Sequence, residues 1–174
     1  MHKVLTMFLL VLLSTGMALA QAAPKSAHAD LVNAQGAKIG SAKITSTATG
    51  LKIAVMVAQL SAGEHGIHIH TVGKCEAPAF TTAGGHFNPT SAHHGPNNAQ
   101  TPHPHAGDRG NLTVDQCGKG KAQFTVEGAT LADGTNSLFH EGGTSLVIHA
   151  KADDLMSDPS GNSGDRIACG VIEK

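Results

Sequence analysis

Residues 63–108 read GEHGIHIHTVGKCE, then GGHFNP, then a loop rich in Gly, Pro and Asn that carries His93, His94, His103 and His105, and they close on HAGD. The opening alternates apolar and polar residues, but from 71 to 108 the hydrophobic period disappears. A connection that long inside a compact domain is either functional or disordered. Imidazoles at this density point to function. His68 and His70 lie two apart, and on a β-strand residues i and i+2 face the same way, so both rings can reach one metal ion. An isolated His-x-His is more often a solvent-facing strand edge, because histidine is common at surfaces as well as in metal sites. Here further donors follow. His149 stands in the apolar run LVIHA, where a buried imidazole needs a partner, either a metal or a hydrogen bond within the core.

The donors sort into two sets. His86, His94, His105 and Asp108 offer three nitrogens and one carboxylate oxygen, which suit a closed tetrahedral zinc site. His68, His70, His86 and His149 offer four nitrogens, which suit copper. His86 stands in both. It can serve two metals only by losing both ring protons and bridging them as imidazolate, a state that two adjacent cations favour.

The rest of the chain reads as a β scaffold for these loops. Lys38–Ser46 and residues 51–60 alternate around the turn Thr47-Ala48-Thr49-Gly50, the pattern of a half-buried antiparallel hairpin. Further strands are predicted at 66–70, 111–114, 121–127, 144–150 and 166–172, with a turn at Gln116-Cys117-Gly118-Lys119. A second long loop, 151–165, is rich in Asp, Ser and Gly. No segment has the period of an amphipathic helix, and no internal repeat appears. Several short strands with two long loops predict an all-β sandwich or barrel.

Residues 1–20 carry a short basic start, an apolar run and a small-residue Ala18-Leu19-Ala20 end, the pattern of a secretory leader that is removed. The apolar core falls short of the roughly 20 residues that a bilayer span requires. Residues 21–26 read as a flexible mature N-terminus, and 27–174 as one domain. The formal net charge is −1 and no basic stripe is present, so nucleic acid is not an expected partner; nor is a membrane after leader removal. Tyr and Trp are absent. The chain has no nucleophile elbow, phosphate loop or paired-carboxylate motif. Of three cysteines, Cys75, Cys117 and Cys169, an oxidising compartment permits one pair and leaves one thiol over. The residues alone allow any of the three pairings.

GIHIH, KCE, GGHFNP, HAGD, LVIHAKADD and GNSGDRIACGVI occur in this order, and together they resemble the copper–zinc superoxide dismutase family in its secreted bacterial form. The resemblance covers about residues 27–172. It implies an eight-stranded Greek-key β-barrel or sandwich with two long functional loops, and a secreted or periplasmic enzyme with copper and zinc as cofactors. The implied reaction is dismutation of superoxide to dioxygen and hydrogen peroxide by a copper redox cycle. The copper ligands would be His68, His70, His86 and His149, and the zinc ligands His86, His94, His105 and Asp108. His86 would bridge the metals and carry a proton. Asp153 would orient His68 and His94, Cys75 would pair with Cys169, and Arg166 would stand beside the copper as an anion-binding catalytic residue. Arg166 could instead be spent on a salt bridge with Asp153, Asp154 or Asp158.

Other positions depart from the pattern or add to it. Against the family's eukaryotic pattern the 151–165 loop is short and its charged residues are mostly acidic, which leaves Lys74 and Lys151 as candidates to attract an anion. His65, His93, His103 and His140 lie outside the ligand sets and are expected to be solvated, with His93 and His103 as candidates for a metal-loading relay. Cys117 is expected as a free thiol in a hairpin turn. A homodimer is the assembly left open. The competing reading is a non-enzymic periplasmic copper- and zinc-binding protein on the same fold, since fold alone does not fix function.

Overall fold

The computed structural model describes residues 25–102 and 104–174. The leader and most of the 21–26 segment therefore lie outside the described residues, as does His103. Eight strands form: β1 Ser26–Asn33, β2 Lys38–Ser46, β3 Gly50–Val57, β4 Gly63–His70, β5 Asp108–Val114, β6 Gly120–Glu127, β7 Ser145–His149 and β8 Arg166–Val171. One 3-10 turn, Thr81–Ala83, is the helical element among the described residues. The strands close into an antiparallel barrel in the order β1-β2-β3-β6-β5-β4-β7-β8. β3 pairs with β6 and the chain returns to set β4 between β5 and β7, a Greek-key crossing. The barrel alternative is thus the one adopted.

Alternation builds the interior. Leu51, Ile53, Val55 and Val57 of β3 are buried while the residues between them are exposed, as a strand with one face on a core requires. β1 contributes Ala27, Ala29 and Leu31 in the same rhythm. This strand is the one that sequence periodicity missed, because two of its three inward positions are alanine and give a weak apolar signal. The 51–60 prediction overran its end. Gln59 turns into the left-handed region at φ 61°, and the strand stops at Val57.

β4 is buried on both faces from His65 onward, as its neighbour β7 is throughout. Ile67 and Ile69 join the barrel core, and His68 and His70 take the opposite face, which the long loops cover. Register fixes what stands beside them. His68 pairs across β5 with Asp108, and His149 of β7 pairs across β8 with Arg166. Both ladders shift register beside these pairs, between Gly66 and His68 and between Ile148 and His149. Such bulges re-aim side chains at functional edges.

A second, smaller cluster pins the first loop to the barrel exterior. Phe80 and Ala83 pack on Val147 and Cys169, and Cys75 joins Cys169 in a disulfide. The bridge spans 94 residues of sequence. Cys117 is exposed and free. Replacing Cys75 and Cys169 together by serine is expected to lower the unfolding free energy of the metal-free protein by about 2 to 5 kcal/mol. Urea unfolding reads this directly, and an unchanged midpoint would mean that the packing of Phe80 and Ala83 holds the loop unaided.

Candidate metal centre

Four imidazoles from three segments meet on the outer face of β4. His70 donates from Nδ1 to the Gly84 carbonyl at 2.9 Å, and His149 donates from Nδ1 to the Gly164 carbonyl at 3.1 Å. A carbonyl can only accept, so it fixes the proton on Nδ1 and leaves a lone pair on Nε2. Those two Nε2 atoms face each other at 3.4 Å. His68 gives its Nε2 to Asp153 at 2.7 Å, and its buried Nδ1 has no partner. His86 likewise has a buried Nε2 without a partner. One nitrogen from each of these four rings lies within 4.8 Å of the others.

The second group centres on Asp108. Its Oδ1 meets His86 Nδ1 at 2.7 Å, His94 Nδ1 at 3.0 Å and His105 Nδ1 at 3.1 Å. Its Oδ2 accepts the backbone N–H groups of Gly95 and His105, which locks the carboxylate in place. Buried polar atoms in proteins normally have partners. Converging nitrogens that lack one, beside a carboxylate, are a donor set that fits a cation. His86 belongs to both groups through its two different nitrogens.

Asp153 links the groups. Its carboxylate takes His68 Nε2 at 2.7 Å and His94 Nε2 at 3.0 Å, so it orients one ring of each set. Asn111 of β5 grips Asp153 at two points, accepting from its N–H at 2.7 Å and donating to its carbonyl at 3.0 Å. Gly161 packs against the same carboxylate, where a Cβ would come within 1.8 Å of Asp153 Oδ1.

A family model described as copper/zinc superoxide dismutase matches residues 38–172. The chain belongs to the copper/zinc superoxide dismutase family. The protein named superoxide dismutase (Cu-Zn) 1 of Aquifex aeolicus is 47% identical over 148 residues, covering 84% of this chain and 86% of its own. The superoxide dismutase (Cu-Zn) of Escherichia coli K12 is 36% identical over 167 residues, covering 88% and 91%. Among solved structures, a superoxide dismutase-like protein from Bacillus subtilis matches with a TM-score of 0.78 at 38% identity, over 86% of this chain and 99% of that one. The Cu/Zn superoxide dismutase of Brucella abortus matches at 0.65 and 27% identity, over 85% and 99%.

In this dismutase the guanidinium of Arg166 donates to the carbonyls of Phe80 and Gly84, at 2.7 and 2.6 Å. It pairs with none of Asp153, Asp154 or Asp158, which are held by other partners. With His70, His86, His105 and His149 it lines a cavity of about 350 Å³. Asp158 instead stitches the two loops together, accepting from the His94 N–H, His93 Nδ1 and Asn98. His93 is therefore half-exposed and paired. His65 departs from the expected solvation. It is buried, with Nδ1 against the His149 carbonyl at 2.7 Å and Nε2 against the Ser61 carbonyl at 2.9 Å. Its ring N–H thus finds a backbone carbonyl acceptor inside the fold. His140 stacks on Phe87 and is partly covered. Lys74 and Lys151 are exposed. Sequence reading missed Asn111 and Gly161, because neither carries metal-binding chemistry of its own.

Burial holds the metal-free histidines neutral: His86 is lowered to about 4, His149 to about 3 and His70 to about 2. His94 goes the other way. Burial would lower it, but its hydrogen bonds to the Asp108 and Asp153 carboxylates outweigh that and raise it to about 9. Burial would raise Asp108 and Asp153, yet their histidine partners hold both far below the usual carboxylate range. The signs set a pH window for the metal-free protein. The His70, His86 and His149 contributions are intact above about 6.5, the ordinary histidine value, and fade as pH falls from there. The His94 contribution is complete below about 6.5 and is lost as pH rises through about 9. Urea unfolding of metal-free protein is expected to give lower stability at pH 5 and at pH 9.5 than near neutrality, and a flat profile would contradict the pairing described.

Gly161→Ala tests the packing behind Asp153. Its φ of 65° and the clash with the carboxylate are expected to cost about 1 to 3 kcal/mol of stability. The substitution should also weaken metal retention, read by competition with a chelator. A variant with native stability and retention would mean that Asp153 is held by Asn111 alone.

Proposed function

We propose that His68, His70, His86 and His149 hold copper, and that His86, His94, His105 and Asp108 hold zinc, in the superoxide dismutation that the family carries out. The observation that carries the assignment is the convergence of partnerless or lone-pair nitrogens into two groups that share His86. Two superoxide anions and two protons give one dioxygen and one hydrogen peroxide. When bound, copper supplies the reversible one-electron chemistry for this reaction, while zinc supplies fixed charge without redox activity.

The chain's own residues supply the rest. Gly84 and Gly164 carbonyls fix the tautomers of His70 and His149, so both present Nε2. Asp153 orients His68 and His94 from behind. His86 presents Nδ1 to the Asp108 side and Nε2 to the copper side, where it can hold a proton for the peroxide product. Arg166 lines the same cavity, and its planar, permanently charged guanidinium suits a small anion such as superoxide. Its two backbone acceptors hold it in one orientation.

Export is part of the proposal. The leader pattern in residues 1–20 and the Cys75–Cys169 disulfide both suit an oxidising compartment outside the cytoplasm, such as the periplasm.

The test is metal content and superoxide dismutation on one purified sample, before and after copper addition. Near one copper and one zinc per chain is expected, with activity following copper. His149→Ala should lose stable copper binding and activity while keeping zinc. Both metals bound without activity would favour the metal-binding reading, and normal copper binding in His149→Ala would sink that ligand assignment. Sedimentation velocity on the same sample distinguishes a monomer from a homodimer.

A further inference from the structure

Two of the proposed zinc donors, His105 and Asp108, come from a single four-residue turn closed by the Asp108 N–H on the His105 carbonyl at 3.2 Å. The middle of that turn is threaded between two other segments. Gly107 donates to the Phe87 carbonyl at 2.8 Å and accepts from the Ile69 N–H at 2.9 Å. The approach is so close that a Cβ on Gly107 would meet the Ile69 carbonyl oxygen at 2.3 Å. These contacts fix Gly107, but the neighbouring Ala106 peptide needs its own restraint.

Arg109, the residue after Asp108, provides it. Its Nη2 donates to the Ala106 carbonyl at 3.0 Å and its Nη1 donates to the Thr125 carbonyl of β6 at 2.6 Å. One planar fork thus ties the turn to a strand two positions round the barrel from β4. The side chain is half-buried, its Nε is buried without a partner, and no carboxylate lies within ion-pair distance of it among the described residues. A half-buried cation with an unpartnered N–H and no direct ion pair gains little from its charge. Its placement beside a cation site makes matters worse if charge is its purpose. The geometry accounts for it as a bracket, since only arginine offers two donors in a rigid plane at this reach.

We propose that Arg109 is a positioning residue for zinc: it holds the 105–108 turn against β6 so that His105 Nδ1 and Asp108 Oδ1 stay convergent. This rests on the zinc assignment above. Position and charge make opposite predictions. If the fork matters, Arg109→Lys, which keeps the charge but has one donor point, and Arg109→Met, which keeps neither, both loosen zinc. If the charge dominates, Arg109→Met removes repulsion and zinc is held more tightly.

The experiment measures the rate of zinc release from zinc-loaded protein to a chromogenic chelator, for the native chain and both variants. The copper-site absorption spectrum of fully loaded protein and the melting temperature of metal-free protein are recorded alongside. Release is expected to quicken about tenfold or more in both variants, the equivalent of losing one or two hydrogen bonds. The copper spectrum and the metal-free melting temperature should stay near native. Native release rates, or slower release from Arg109→Met, would overturn the proposal, as would faster release that only tracks a drop in metal-free stability. Should Arg109→Met fail to fold, Arg109→Lys alone still separates native from quickened release. A native chain that holds no zinc would instead overturn the zinc assignment itself.

Discussion

Six imidazoles packed on one flank of a barrel must keep their nitrogens convergent without collapsing together, and any proton they carry needs a carboxylate beside it. Two carboxylates make that arrangement tenable. Asp108 gathers three Nδ1 atoms around one oxygen while its other oxygen is pinned by backbone N–H groups. Asp153 holds two rings from behind through their other nitrogens. One carboxylate is a donor among donors and the other is a brace, although both are aspartates on loops or strand ends. Their difference lies in which face of the rings they meet.

The scaffold serves this arrangement through register rather than through rigidity of any single strand. A strand that buries isoleucine on one face and histidine on the other requires its outer face to be roofed, and the two long loops supply the roof. The disulfide, the cluster around Phe80 and the Asp158 contacts fasten the loops to each other and to the barrel. Much of the molecule outside the barrel core exists to close over β4.

The residues that converge were legible in the sequence because metal-binding chemistry is written in residue type and spacing: GIHIH on a strand, HAGD in a turn, a lone histidine in LVIHA. Most strands were legible from alternation, and β1 was not, since alanine fills two of its inward positions. The supports were illegible for a different reason. Asn111 acts through the backbone of a residue 42 positions away, Gly161 through the space it leaves empty, and Arg109 through two carbonyls. None of these roles depends on a pattern nearby in the chain. His65 was misread likewise, because the carbonyls that receive it come from segments that meet only in the folded state.

The Gly84 carbonyl accepts from both His70 and Arg166. A ring of the four-histidine group and the guanidinium that lines the same cavity therefore hang on a single peptide oxygen. That oxygen belongs to the segment anchored by Cys75, which also provides the other acceptor for Arg166 at Phe80. The sulfur bridge is thus mechanically in series with the guanidinium of Arg166. A chain without the bridge would own every one of these groups and lack the fixed aim of one, because a covalent bond far away in sequence holds the segment that orients it.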